Sequence, residues 1–203
     1  MLYFGQMDPV HAIIANLSKH ITPSQEAQDY FLSLLEQKEF ARKEFLLRED
    51  QVCRYFSFVV EGAFRAYHLN KEGKETTIMF AVSDWWITDM PCFLHNKPAI
   101  VNIQALEHSI VLQISKTNFD RLLEVEPVFE KYFRILMQNA YTREQIRVLE
   151  NLSLPASERY QNFLKKYPKI ASQITQKQLA SYLGITPEFL STIRKQLTQG
   201  RIS

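Results

Sequence analysis

Cysteine is scarce: Cys53 and Cys92 stand alone in 203 residues. Two thiols cannot build a disulfide framework or an iron–sulfur cluster. They read as reduced cytosolic thiols, with a redox pair as the lesser alternative. Glycine is scarce too, at five residues, and no glycine-rich loop able to grip a phosphate is present. No run of 18 apolar residues occurs, so no membrane-spanning helix is expected. The N-terminus lacks a basic region before an apolar one, so no secretory signal is expected. His11, His20, His68, His95 and His108 have no metal-ligand spacing. That leaves haem ligation by one of them a remote alternative and no metal site expected. No nucleophile–base constellation is visible, so an enzyme is not expected. Repeats and low-complexity segments are absent.

What is present suits a folded protein. Hydrophobic residues make up 46% and aromatics 12%, enough for real cores and inconsistent with disorder. The net charge of +2 conceals an asymmetry. From Pro155 onward lie eight of the 24 basic residues and two of the 22 acidic ones, a net +6. The other 16 basic and 20 acidic residues give the body −4. A basic module on an acidic body suits a polyanion at one end, against the alternative of a solvated charged face.

Along the chain, residues 8–40 read as helical. Val10, Ile13, Ile14 and Leu17 recur at helical spacing, and Thr22-Pro23 opens a second helix with Gln25 completing a capping box. Residues 42–47, 52–60, 62–69, 75–82, 100–106 and 109–114 read as short strands between turn-like segments, as in a compact β-barrel or sandwich. Gly62 marks a close approach or bend, and Gly73 a hairpin loop. Residues 117–152 return to helix, with Pro127 starting or kinking its long part. There Val128, Tyr132, Ile135, Asn139, Thr142, Ile146 and Leu149 alternate by four and three, beside a stripe of Phe129, Phe133, Leu136 and Ala140. A helix with two apolar stripes wants two partners. These can be its own β-domain and a second copy of the chain, or both can lie within a monomer.

The tail carries the most specific pattern. Thr175 with Gln178 makes a capping box, Leu179, Ala180 and Leu183 face one way, and Gly184 ends the helix. Thr186-Pro187 starts the next helix, whose buried stripe is Leu190, Ile193 and Leu197. Two short helices across a glycine turn form a helix-turn-helix, or a plain αα-corner. The outward face of Pro187, Glu188, Ser191, Thr192, Arg194 and Lys195 favours the former, while Phe189 is ambiguous. Tyr160, Phe163, Leu164 and Tyr167 are spaced to pack beneath.

Residues 176–191, Gln-Lys-Gln-Leu-Ala-Ser-Tyr-Leu-Gly-Ile-Thr-Pro-Glu-Phe-Leu-Ser, resemble the DNA-binding segment of the CRP/FNR family of bacterial transcription regulators. Val59-Val60-Glu61-Gly62-Ala63-Phe64-Arg65, Glu72-Gly73-Lys74-Glu75 and Asp84-Trp85-Trp86-Ile87 resemble its sensor domain. The resemblance covers roughly residues 25–200. It implies an α+β protein with a cyclic-nucleotide-binding-like jelly roll at 1–120, a long connecting and dimerisation helix at 121–153, and a winged-type helix-turn-helix at 154–203. Since the sequence ends at Ser203, soon after Gly200, the wing is expected to be short or missing.

The implied partners are double-stranded DNA and a second copy of the chain, with RNA polymerase a further candidate, no membrane, and a cytoplasmic location. Thr186, Pro187, Glu188, Ser191 and Thr192 are the expected base-reading set. Glu188 can accept from a cytosine amino group, or merely complement the helix dipole. An arginine common in the family after the position of Ser191 is Thr192 here, so the operator sequence is not implied. Thr175, Gln176, Lys177, Arg194 and Lys195 are the expected phosphate contacts. Val128, Phe129, Tyr132, Phe133, Ile135, Leu136, Asn139 and Ala140 mark the expected dimer helix.

Cyclic-AMP binders of the family carry Gly-Glu and an arginine in a phosphate cassette. The corresponding stretch, residues 86–100, lacks the Gly-Glu and has Pro98-Ala99-Ile100 where the arginine would fall. Lys97 offers charge without a fork. Tight cyclic-AMP binding is therefore not expected, and no cofactor is required. Phe64, Arg65, Tyr67, Trp85, Trp86 and Phe93 can line a pocket for an unidentified effector, or simply fill a core. Two rival readings stay open: a cupin-like enzyme, for which the clustered His/Glu motif is lacking, and a ligand-binding signalling module without functional DNA binding.

Overall fold

The computed structural model describes residues 8–168 and 170–199. The chain divides into two compact units. Unit 1 runs to Ala66 and resumes from Phe80 to Gln138; unit 2 comprises Tyr67–Met79 and the chain from Asn139 on.

The chain opens with helix α1 (Pro9–Ser18), capped by the Asp8 carboxylate, which accepts from the Val10 N–H. Helix α2 (Gln25–Ser33) follows. The expected cap at Thr22 is two residues early. Ser24 is the N-cap, accepting from the Ala27 N–H at 3.1 Å, so Gln25 is the first helical residue and closes no box.

Helix does not extend to residue 40. Strand β1 (Leu35–Phe40) pairs antiparallel with β8 (Ser109–Ser115), from Leu35 opposite Ile114 to Phe40 opposite Ser109. Its four central residues are exposed, so the segment has no core face to reveal it. The backbone of a neighbouring apolar strand, rather than local propensity, holds it extended.

Between them run β2 (Phe45–Leu47), β3 (Tyr55–Glu61), β4 (Ala63–Leu69), β5 (Glu75–Val82), β6 (Trp86–Ile87), the short helix α3 (Met90–His95) and β7 (Asn102–Ala105). The pattern of residues had not singled out β6 or α3. Two four-stranded sheets result, ordered β1-β8-β3-β6 and β2-β7-β4-β5. Gly62 is a true close approach. Its φ is +91°, and a Cβ there would fall 2.2 Å from the Ser109 Oγ. Gly73 takes φ +76° in the β4–β5 turn, where the Asn70 side-chain oxygen accepts from the N–H groups of Glu72 and Lys74.

Helix α4 (Lys116–Val125) starts on the Ser115 hydroxyl, and Pro127 separates it from the long α5 (Val128–Ser153). Unit 1 takes the first part of α5 into its core. Phe129, Tyr132 and Phe133 are buried, and Phe133 meets Phe56, Trp86 and Phe119 at ring distances of 6.0, 5.4 and 4.7 Å. Beside this cluster the Tyr132 hydroxyl donates to the buried Asn16 side chain and accepts from Trp86 Nε1 at 2.9 Å. Asn16 Nδ2 in turn donates to the Asp84 carboxylate and carbonyl, at 2.9 and 3.1 Å. Burial pushes the Tyr132 hydroxyl above its ordinary range, so it stays neutral in this satisfied network.

Unit 2 continues with α6 (Ala156–Lys166), a 3₁₀ turn (Ile170–Ser172), α7 (Gln176–Leu183) and α8 (Pro187–Thr198). The expected short or missing wing falls at residues 200–203, outside the described residues.

Candidate nucleic-acid interface

Local chemistry shapes the interface. In α7 both halves of the capping box form. The Thr175 hydroxyl accepts from the Gln178 N–H at 3.2 Å, and the Gln178 side chain accepts from the Thr175 N–H at 2.9 Å. Gly184 closes that helix with φ +68°, a left-handed conformation cheapest for glycine. Thr186 caps α8 by accepting from the Phe189 N–H, and Pro187 occupies the first helical position, where its missing N–H costs nothing. Leu179, Ala180 and Leu183 of α7 are buried, as are Leu190 and Ile193 of α8 and Tyr160 and Phe163 of α6.

Burial of one face turns the other outward. Thr186, Glu188, Thr192, Arg194 and Lys195 are exposed, while Pro187 and Ser191 are half-buried at the same helix's edge. Ser191, Arg194 and Lys195 join Gln176 in lining a shallow groove of about 330 Å³. All five expected base-reading residues thus lie in the cap and first two turns of α8. Phe189 is 51% exposed, so the ambiguous residue faces solvent rather than the core.

Two of the expected phosphate contacts have partners within the chain. The Thr175 hydroxyl is committed to the cap, and the Gln176 amide donates to the Pro187 carbonyl at 2.7 Å, tying the start of α7 to the start of α8. Lys177, Arg194 and Lys195 remain exposed cations.

Unit 2 also contains the tip of the β4–β5 hairpin, which sequence reasoning did not place there. The Thr77 N–H donates to the Ser181 hydroxyl of α7 at 2.8 Å, and that hydroxyl donates to the Glu75 carbonyl at 2.7 Å. Arg147 of α5 donates to the carbonyls of Thr77, at 3.2 Å, and Ile78, with its guanidinium 4.6 Å from the Tyr182 ring centre. The hairpin backbone is thereby bonded to both α5 and α7. Nothing in the hairpin's alternating pattern signals this.

The expected dimer residues need correction. Phe129, Tyr132 and Phe133 are filled into unit 1 and cannot meet a second copy. Val128, Ile135, Leu136 and Ala140 are half-buried and Asn139 is exposed. The exposed apolar run lies further along α5, at Tyr141, Ile146, Val148, Leu149 and Leu152, the last two 63% and 82% exposed. Ile146, Leu149 and Leu152 recur every three residues and Tyr141 lies seven before Val148, which places two neighbouring apolar rows on the helix.

The expected effector residues are distributed over β4, β6, α3 and the turn before β6. Trp86 and Phe93 both pack on Phe56, at 4.7 and 5.7 Å, in the aromatic core. Phe64 packs on Phe40 at 5.6 Å, Arg65 and Tyr67 are buried along β4, and Trp85 is half-buried. In the expected cassette region the buried Asp89 carboxylate caps α3 and accepts from the N–H groups of Cys92, Ile100 and Val101, at 3.2, 2.7 and 3.3 Å. Among the described residues no group of three or more His, Cys, Asp and Glu is placed to hold a metal ion. No described helix is long and apolar enough to cross a membrane.

Residues 37–126 match the family model of the cyclic nucleotide-binding domain. No curated protein matches the chain. Among solved structures, FixK2 from Bradyrhizobium japonicum is 20% identical with a TM-score of 0.71, over 82% of this chain and 86% of that one. A crp/fnr-family protein from Eubacterium rectale is 17% identical with a TM-score of 0.71, over 88% and 85%. The c-di-GMP-responsive global regulator CLP of Xanthomonas campestris is 13% identical with a TM-score of 0.70, over 87% and 93%.

Proposed function

We propose, from the match of residues 37–126 to the cyclic nucleotide-binding domain and the fold shared with solved CRP/FNR-type structures, that the chain is a dimeric, sequence-specific DNA-binding transcription regulator whose signal is not cyclic AMP. The observation that carries this reading is the outward face of α8. A helix capped by Thr186-Pro187 presents Glu188, Thr192, Arg194 and Lys195 to solvent after burying Leu190 and Ile193. The first turn of such a helix carries groups short enough to reach base edges, and the later cations suit phosphates.

Glu188 is the base reader, accepting from a cytosine amino group, with Thr186, Pro187, Ser191 and Thr192 forming the rest of the surface that meets bases. Lys177, Arg194 and Lys195 hold the backbone. The exposed run Tyr141, Ile146, Val148, Leu149 and Leu152 on α5 supports pairing of two chains. A two-fold pair sets its recognition helices about one duplex turn apart, ~34 Å. No cofactor enters the DNA step. The protein works in the cytoplasm, where its DNA and RNA polymerase are found.

Selection of bound duplexes from a random library tests this reading. The expected outcome is enrichment of a two-fold symmetric site with half-sites ~10 base pairs apart. Recovery of unselected sequence would instead favour a signalling module without functional DNA binding.

A further inference from the structure

A cleft of about 400 Å³ lies within unit 2, lined by the last turns of α5, by α6 with Tyr167 behind it, and by α7. Four cations, Arg147, Arg159, Lys165 and Lys166, face it against a single carboxylate, Glu150. That carboxylate is already engaged, its Oε1 accepting from Asn162 at 3.0 Å. The rest of the wall is aromatic. Phe163, Tyr167 and Tyr182 pack ring on ring at 5.1, 5.2 and 6.2 Å. Burial raises both tyrosine hydroxyls, so these walls stay neutral.

The two arginines are anchored with donors to spare. Arg147 is fixed by the Thr77 and Ile78 carbonyls and paired with Glu144 at 3.4 Å, and Arg159 by the Asn151 carbonyl and side-chain oxygen at 3.1 and 3.3 Å. The Nε atoms of both are buried and have no hydrogen-bond acceptor. A guanidinium N–H withdrawn from water is rarely left without a partner. Lys166 keeps solvent contact, yet its ammonium is held below the ordinary lysine range, first by partial burial and then by the charge of Arg143. Arg147 pushes the same way, while Glu150 and Glu144 oppose it. The cleft is thus a concave site whose four lining cations outnumber its one lining carboxylate.

From this geometry we infer that the cleft binds a small phosphorylated anion, its phosphate taken by Arg159 and Lys166 and any ring it carries laid against the tyrosines. Guanidinium forks match phosphate oxygens, and the volume suits a small molecule. The assignment does not rest on the DNA-binding reading. A duplex backbone offers the same chemistry, so the test separates the two sources.

Calorimetry of the full chain without DNA, using inorganic phosphate, pyrophosphate and adenosine monophosphate in turn, measures the site directly. Saturable one-to-one binding of at least one probe is expected. Arg159→Gln and Lys166→Gln should each weaken it at least ~10-fold, the loss of one charge-assisted contact. Lys38→Gln, at an exposed cation on β1 in unit 1, should leave it unchanged. Absence of saturable heat with all three probes overturns the proposal, as does affinity unaltered in both cleft variants. So does a result in which only duplex binding responds to Arg159 and Lys166.

Discussion

Asp89 is the side chain on which the proposal of a signal other than cyclic AMP can be tested. Its carboxylate takes the N–H groups of Cys92, Ile100 and Val101, in the stretch where relatives that bind cyclic AMP are expected to offer N–H groups to a phosphate. An incoming phosphate would meet a buried negative charge and find those donors occupied. Calorimetry with cyclic AMP should therefore give a dissociation constant above about 1 mM, less than ~4 kcal/mol of binding. Micromolar affinity would show that Asp89 yields its donors. At this scale the sequence was most legible where chemistry is local. The box of Thr175 with Gln178, the left-handed Gly184 and the Thr186-Pro187 start all formed as expected, because each needs only neighbours within four residues. Asp89 escaped notice because two of its three donors lie more than ten residues away. Cys53 and Cys92 are both free and buried, and burial pushes the Cys92 thiol up, which favours the inert form.

Elements were harder to read when tertiary contacts chose their state. Strand β1, Leu-Glu-Gln-Lys-Glu-Phe, is built from good helix formers, yet β8 pairs with it along its whole length. The heptad-like spacing on α5 was visible, but not which part of it the chain keeps for itself. Tyr132 looked like a seam residue and is instead a buried hydrogen-bonding hub. What remains exposed is the later run of Tyr141, Ile146, Val148, Leu149 and Leu152. If that run is the seam, Leu149→Asp with Leu152→Asp desolvates two carboxylates per helix on association. Dimer affinity should fall at least ~100-fold, ~2.7 kcal/mol. Light scattering would then report the single-chain mass of 23.9 kDa at concentrations where the parent protein gives twice that. An unchanged mass would move the seam elsewhere.

For the whole molecule, charge and topology tell different stories. The net +6 of the tail against −4 for the remainder is readable from composition. The division into units is not, because Tyr67–Met79 leaves the middle of a β-sheet sequence to join the C-terminal helices. Thr77, Ser181 and Arg147 show the reason: main-chain carbonyls and N–H groups of the hairpin bond to α5 and α7, and main-chain donors carry no residue code. The central claim nonetheless concerns one surface, the exposed side of α8. Fluorescence anisotropy of the selected duplex and of a random duplex, across a salt series, tests it most directly. The account predicts at least ~1,000-fold preference for the selected site. It further predicts a shift in base preference worth ~1–3 kcal/mol in Glu188→Ala, and a uniform weakening with a salt slope smaller by about one in Lys195→Ala. Equal affinity for both duplexes, or a site preference untouched by Glu188→Ala, would contradict it.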